Sequence, residues 1–294
     1  MLLKTLRRLH DIGVTRAAYE ARPDSWLQIC DYARTLARYE KWAELDALTA
    51  GVDFKTTFAH SWPVHLHDLD AFERRVFMEV AIISCQTPAA IAQLCRSVRY
   101  IVSNRIDGDL VECGVYKGAS IIAMIRTLQD LGERRRIWLY DTFEGMPMPE
   151  PIDKFYAEDS VHDGGLRSWE VTKRDDGSGG SDWVYAAIEE VRHHVSGAGY
   201  DDSLLSYVKG KVEDTIPSDT PERIALLRLD TDFYRSTRHE LEHLYPKLER
   251  GGVLIIDDYG AYAGARQATD EYFSSRPFLL NRIDEHVRCG VKLL

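Results

Sequence analysis

The sequence lacks several features that would assign it at once to a class of protein. No apolar run approaches the roughly 18 residues that a membrane-spanning helix needs. The N-terminal residues mix charge into apolar positions and contain no hydrophobic region of the signal-peptide type. The 37 basic residues are outnumbered by 47 acidic ones, whereas nucleic-acid binding needs a basic face. We therefore expect a cytoplasmic protein that binds neither a membrane nor a nucleic acid.

Cysteine is also scarce. The five cysteines are scattered along the chain, and none belongs to a CxxC pair. This pattern predicts neither a disulfide framework nor a zinc site, and it suits a reducing compartment.

The first part of the chain, residues 1–104, has the pattern of a helical extension. Apolar residues recur at three- and four-residue spacings across 26–50 and 72–84. Thr87-Pro88 predicts an N-cap followed by proline at the first helical position, which opens a helix that runs to about Ser103. We expect this extension to serve substrate binding or assembly.

Residues 105–294 alternate short apolar runs with helical patterns, which predicts a second domain. The predicted strands lie in DLVECGV, RIWLYD, LLSYVKGKV, RIALLRLD and GGVLIIDD. Gly251-Gly252 predicts a break between a helix ending at Arg250 and the last of these strands. Such alternation is typical of an α/β fold, a Rossmann-like parallel sheet with helices on both faces. The polar, aperiodic segment at about 147–181 predicts an insertion, either a lid or a disordered loop.

Carboxylates and glycines follow the first two predicted strands. Glu112 ends the first strand, Gly114 lies in the turn before the next helix, and Asp141 ends the second strand. Glycine lets a turn approach a ligand closely, and an acid at the second strand end can accept ribose hydroxyls. These residues predict a nucleoside pocket. No GxGxxG motif is present, and an acid lies on the first strand. This favours S-adenosylmethionine, which carries an amino-acid tail and no pyrophosphate, over NAD.

A second acidic group follows the fourth and fifth predicted strands. If these strands are neighbours, Asp230, Asp257 and Asp258 converge in a hard oxygen site suited to Mg²⁺, Mn²⁺ or Ca²⁺. Without a cation such a cluster would repel itself, which raises the pKa values of its carboxyls. Asp232 would point the same way as Asp230 if the strand continued, and could then act as a base. The alternative is that these acids cap helices and turns.

These stretches resemble the macrocin-type O-methyltransferases, which tailor sugars and other polyhydroxylated parts of antibiotics. The similarity rests on DGDLVECGVYKGAS, YDTFEGMP, KGKVEDTIP, LRLDTDFYRSTRHELEHLYPKLERGGVLIIDDYGAY and ARQATDEYF, over about residues 87–273. It implies a class I methyltransferase fold that uses S-adenosylmethionine and Mg²⁺. It also implies a small hydroxylated acceptor, such as a glycoside, and a homo-oligomer.

The resemblance further implies roles for single residues. The implied cofactor-binding residues are Thr87, Glu112, Gly114, Ser120, Asp141, Thr142 and Asp214. Asp230, Asp257 and Asp258 match the family's metal ligands, and Asp232 matches its general base. Cys113 replaces a threonine that is often found in the cofactor loop, which would alter the shape of the pocket.

Other functions stay open at this point. An NAD-linked sugar oxidoreductase would use Asp141 and the Glu112 loop but has no use for the acids on the fourth and fifth strands. A metal-dependent hydrolase would leave the Glu112 loop unexplained, and a non-enzymatic binding protein would leave the acids without a role. Among methyltransferases, a catechol-type phenol is the alternative acceptor to a sugar.

Overall fold

The computed structural model describes residues 2–23, 25–51, 68–157, 160–162, 164–177 and 179–293. The chain divides into two compact units, Met1–Cys95 and Arg96–Leu294. This division falls within the helix Pro88–Ser103, whereas the boundary predicted from the sequence, after residue 104, lies just beyond the end of that helix.

The first unit is helical in the part that the structure describes. Its helices are α1 (Leu2–Ala21), α2 (Trp26–Arg38), α3 (Trp42–Gly51), α4 (Ala71–Val80) and the start of α5 (Pro88–Ser103). Ile29, Leu36 and Met78 belong to the buried core of this unit. The predicted cap of α5 is confirmed, because the Thr87 hydroxyl accepts the Ala90 amide at 3.0 Å. Among the described helices, none has both the length and the hydropathy to cross a bilayer.

The second unit contains a seven-stranded sheet. Its strands are β1 (Asp109–Cys113), β2 (Ile137–Asp141), β5 (Leu205–Lys209), β6 (Ile224–Leu229), β7 (Leu248–Ile256), β8 (Asn281–Arg282) and β9 (Arg288–Val291), while β3 (Phe155–Ala157) and β4 (Ser160–His162) pair separately. Its helices are α6 (Ala119–Asp130), α7 (Gly164–Thr172), α8 (Ile188–Ser196), α9 (Val212–Thr215), α10 (Tyr234–His243) and α11 (Ala263–Phe273). The sheet order is β5-β2-β1-β6-β7-β9-β8, with β9 antiparallel to both neighbours and the first five strands parallel.

The topological switch point of the sheet lies between β1 and β6. From β1 the chain adds β2 and β5 on one side, and it then returns to place β6 and β7 on the other. Cys113 is level with Leu229, and Leu229 is level with Ile256, so three strands end side by side. Ligands of open α/β sheets bind in the crevice beyond such a point. The prediction that the fourth and fifth predicted strands are neighbours is confirmed, because β6 pairs with β7.

The predicted break at Gly251-Gly252 is wrong. The preceding helix does not reach Arg250, because α10 ends at His243 and Pro246, which lacks an N–H, blocks its continuation. Strand β7 then runs through both glycines, and its register with β6 becomes irregular there. Gly251 has a φ of 83°, so this pair forms a bulge within the strand.

The insertion, residues 147–181, contains secondary structure that its polar composition did not indicate. β3 and β4 form an antiparallel hairpin, and α7 follows. The Tyr156 amide donates to the Ala261 carbonyl at 2.8 Å, and the Ser181 amide donates to the Glu144 carbonyl at 3.0 Å. These bonds attach the insertion to the loop after β7 and to the turn after β2. Within it, residues 158, 159, 163 and 178 lie outside the described part of the chain.

Candidate active site

Three carboxylates meet at the carboxyl ends of β6 and β7. Asp230 directly follows β6, and Asp257 and Asp258 directly follow β7. One oxygen of each residue can be chosen so that all three lie within 4.8 Å of one another. Oδ2 of Asp258 is buried and has no hydrogen-bond partner among the described residues. A buried acceptor without a partner is costly, so this donor set fits a hard cation.

The guanidinium of Arg228, a residue that sequence reasoning missed, holds this acid cluster. Its Nη1 donates to Glu112 Oε1 at 2.5 Å and to Asp230 Oδ2 at 2.6 Å, while Nη2 donates to Asp257 Oδ1 at 2.6 Å. The Arg228 side chain is only 1% exposed. The sequence did contain a sign of this role, namely an arginine in the otherwise apolar strand IALLRL. Because buried charges are almost always paired, such an arginine indicates acidic partners.

Burial raises the pKa values of the acids around this guanidinium. The pKa values of Glu112, Asp230 and Asp257 rise to about 7, although the Arg228 charge opposes the rise in each case. Burial also raises the pKa of Asp258, and the charges of neighbouring carboxylates add to the effect. For Arg228, burial lowers the pKa, but the surrounding carboxylates outweigh it and the net shift is upward. The cluster therefore retains an excess of acid, which a further cation would stabilise.

Asp232 reaches the cluster by a route other than the predicted one. Strand β6 ends at Leu229, so alternation along the strand does not direct this side chain. Instead, Asp232 has a φ of 65°, a left-handed conformation that non-glycine residues seldom adopt. Its carboxyl group contacts that of Asp258, and burial raises its pKa to about 7. Such strained residues collect at functional sites.

The turn after β6, which contains Asp230 and Asp232, is held by a hydrogen bond to α10. The Thr231 hydroxyl donates to both carboxylate oxygens of Glu240, at 3.0 and 3.2 Å. Glu240 lies on α10 and is fully buried, and burial raises its pKa well above the usual range. The Cys113 thiol hydrogen-bonds to the same carboxyl group. Glu240 therefore joins the end of β1 to the turn after β6.

The segment between β1 and α6, residues 114–118, lies against this turn, and we call it the cofactor loop for its predicted role. Gly114 has a φ of 82°, and a Cβ at this position would lie 1.8 Å from the carbonyl oxygen of Asp230. The Asp230 amide also donates to the Cys113 carbonyl at 2.8 Å. Only glycine allows the two loops to approach so closely.

Gly114→Ala is expected to lower the melting temperature strongly and to abolish nucleoside binding, because the two loops must separate to admit the methyl group. Thermal denaturation and titration with S-adenosylhomocysteine measure the two effects. Gly132→Ala is the control, since Gly132 has a φ of 66° but a Cβ there meets nothing within 4 Å. Equal losses in both variants would show that backbone strain, and not the close approach, makes Gly114 necessary.

Asp141 organises the cofactor loop. Its Oδ2 accepts the amides of Val115 at 2.7 Å and Tyr116 at 3.0 Å, and its Oδ1 accepts the amide of Phe143 at 2.7 Å. Burial raises the pKa of Asp141, and these amides oppose the rise. The carboxylate thus connects the ends of β1 and β2. Its predicted contact with a ribose stays a prediction.

Glu112 and Ser120 lie together behind the loop. Ser120, the second residue of α6, is 2% exposed and hydrogen-bonds to the Glu112 carboxyl group. Oε2 of Glu112 is buried without a hydrogen-bond partner in the described part of the chain.

Thr142 and Asp214, two further predicted cofactor residues, lie after β2 and β5. Thr142 lines a cavity of about 360 Å³ at the ends of β2 and β5, together with Gly145 and Lys209. Its hydroxyl donates to the Gly145 carbonyl at 2.9 Å. Asp214 is exposed on α9, just after β5. Thr87 belongs to the first unit, and its predicted contact with the cofactor stays a prediction.

Comparison with known proteins decides the family. Residues 86–287 match the model of the macrocin-O-methyltransferase (TylF) family. The protein belongs to this family. The family predicted from the motifs is thereby confirmed, and O-methyltransferase is the predicted enzyme class.

Two relatives of this protein are O-methyltransferases by name. The 8-demethyl-8-(2,3-dimethoxy-alpha-L-rhamnosyl)-tetracenomycin-C 4'-O-methyltransferase of Streptomyces olivaceus is 35% identical over 176 residues, which are 60% of this chain and 61% of that enzyme. The mycinamicin III 3''-O-methyltransferase of Micromonospora griseorubida is 31% identical over 187 residues, which are 63% of this chain and 68% of that enzyme. The chain thus matches less than two thirds of the length of the Streptomyces olivaceus enzyme.

A solved structure of the O-methyltransferase NovP is similar to this protein, with a TM-score of 0.61 and 27% identity. The similarity covers 72% of this chain and 83% of that chain. It confirms the class I methyltransferase fold, an α/β sheet with associated helices.

Proposed function

We propose that this protein transfers a methyl group from S-adenosylmethionine to a hydroxyl of a sugar or another polyhydroxylated natural-product moiety, with the assistance of Mg²⁺. The observation that supports the proposal most is the close approach of Gly114, in the turn after β1, to the backbone of Asp230, one residue of the acid cluster. The rhamnosyl group in the name of one relative supports a glycoside acceptor. A cytoplasmic location and a homo-oligomeric assembly belong to the same proposal.

The cofactor loop fits S-adenosylmethionine. Oε2 of Glu112 is a buried acceptor that needs a donor, and the ammonium of the cofactor's amino-acid tail is a suitable one. Asp141 and Thr142 would border the ribose, and Asp214 would border the adenine. The full proposed set comprises Thr87, Glu112, Gly114, Ser120, Asp141, Thr142 and Asp214.

The acid cluster fits Mg²⁺. Asp230, Asp257 and Asp258 would hold the ion through three carboxylate oxygens, and hard oxygen ligands suit this metal. When bound, Mg²⁺ supplies Lewis-acid chemistry that lowers the pKa of an acceptor hydroxyl and orients it.

The residues of the protein would then align the reactants and take up the proton. The acceptor oxygen forms a bond to the methyl carbon in line with the sulfur, while the carbon–sulfur bond breaks and its electron pair stays on sulfur. Asp232, beside Asp258, accepts the hydroxyl proton. Alignment of oxygen and methyl group is the main contribution of the surrounding loops. The insertion, fixed to the loop after β7, would exclude water.

Methyl transfer from isotopically labelled S-adenosylmethionine tests this function. The purified protein with Mg²⁺ is offered rhamnosides that carry neighbouring free hydroxyls and, separately, catechols, which present two neighbouring oxygens on an aromatic ring. We expect label in the rhamnoside. Label in the catechol alone would move the acceptor to the phenol class. NAD⁺-dependent oxidation of the sugar without methyl transfer would contradict the proposal.

A further inference from the structure

Arg228 lies where the proposed cofactor and metal sites meet. We propose that it is a positioning residue, a resident counter-cation that keeps the acid cluster assembled when no metal is bound and joins this cluster to the cofactor strand through Glu112. The inference rests on the proposed function only in identifying the cluster as a metal site.

The geometry of the sheet explains why one side chain can do this. Arg228 on β6 is level with Glu112 on β1 and with Ile255 on β7, so it lies at the centre of three parallel strands. Its guanidinium reaches one acid from each strand or strand end, namely Glu112, Asp230 and Asp257. It occupies one named oxygen of each carboxylate, which leaves the second oxygen of Asp230 and of Asp257 without a bond to the guanidinium.

The charges of the site need such a group. The Glu112 side chain is 1% exposed, so water cannot compensate its charge. Asp230 and Asp257 are partly buried, so water compensates their charges only in part. The planar guanidinium forks toward several oxygens at once, whereas the single ammonium of a lysine cannot bridge three carboxylates with the same geometry. Arg228 thus stabilises the acid cluster when no metal is bound. Its single positive charge does not balance all of the carboxylates, and the remaining negative charge can bind a second cation.

The test compares variants by thermal denaturation without divalent metal. We expect Arg228→Met to lower the melting temperature by about 10 °C, because it leaves the buried Glu112 and the partly buried Asp230 and Asp257 without a counter-charge. In the same chain, Asp257→Asn should restore about half of this loss, because it removes one of those charges. Arg223→Met is the control, since Arg223 pairs with Glu249 at the other end of β6 and is 54% exposed.

Additive losses in Arg228→Met/Asp257→Asn would overturn the proposal, because lost packing alone is not relieved by neutralising an acid. If Arg228→Met fails to fold, Arg228→Gln, which is also neutral but keeps an amide donor, and its Asp257→Asn double variant replace it. Restoration by Asp257→Asn would then support the proposal, and additivity would overturn it. Calorimetric titration of the unaltered protein with MgCl₂ tests the metal site separately. If Asp257→Asn restores stability but the unaltered protein does not bind Mg²⁺, only the metal site is contradicted. If the protein binds Mg²⁺ but Asp257→Asn restores nothing, only the role of Arg228 is contradicted.

Discussion

Asp257→Ala is expected to abolish Mg²⁺-dependent methyl transfer while it leaves the affinity for S-adenosylhomocysteine within a few-fold. Asp257 belongs to the acid cluster after β7, whereas the cofactor loop follows β1 and is organised by Asp141. Removing a ligand takes away the Lewis-acid contribution, which is worth about a thousandfold in turnover. Steady-state kinetics with an acceptor that the unaltered protein methylates, together with calorimetric titration of S-adenosylhomocysteine, gives both quantities.

Glu222→Ala is the matched control for Asp257→Ala. Glu222 is an exposed carboxylate just before the amino end of β6, whereas the acid cluster lies at the carboxyl ends of β6 and β7. We expect it to leave turnover and cofactor affinity unchanged. A loss of cofactor affinity in Asp257→Ala as large as the loss of turnover would contradict separate metal and cofactor roles.

Asp232→Asn is expected to lower kcat by about 10²–10⁴-fold, because an amide of the same shape cannot accept the acceptor proton. Affinities for S-adenosylhomocysteine and Mg²⁺ should stay within a few-fold, since Asp232 lies beside the proposed ligands and is not one of them. Steady-state kinetics and calorimetry of the same preparation separate the two effects.

Two outcomes would contradict the role of Asp232. An unchanged kcat would show that another group or water takes the proton. A loss of Mg²⁺ affinity comparable to that in Asp257→Ala would make Asp232 a ligand. The asparagine variant should keep the native fold, because asparagine tolerates a φ of 65° better than most residues.

The sheet and its acidic edge could be predicted from the sequence because their signals are local. Continuous apolar strands between helices indicate a parallel sheet, and the ends of β6 and β7 are visible in the chain as the points where an aspartate follows. The convergence of Asp230 with Asp257 and Asp258 then required only that β6 and β7 be neighbours, which their pairing confirms.

The interior of the site could not be predicted because its determinants are contacts between distant residues. The role of Arg228 depends on three carboxylates, one of which lies 116 residues away at Glu112. Asp232 reaches the cluster through a left-handed turn, which no periodic pattern encodes. The bulge at Gly251 likewise depends on the register between β6 and β7.

Calorimetric titration of the protein with S-adenosylhomocysteine and separately with NAD⁺, each with and without Mg²⁺, tests the central claim most directly. The account predicts saturable binding of S-adenosylhomocysteine, no binding of NAD⁺, and a Mg²⁺ site that Asp258→Asn removes. Binding of NAD⁺ in place of S-adenosylhomocysteine would contradict the cofactor assignment and the methyl-transfer mechanism that depends on it.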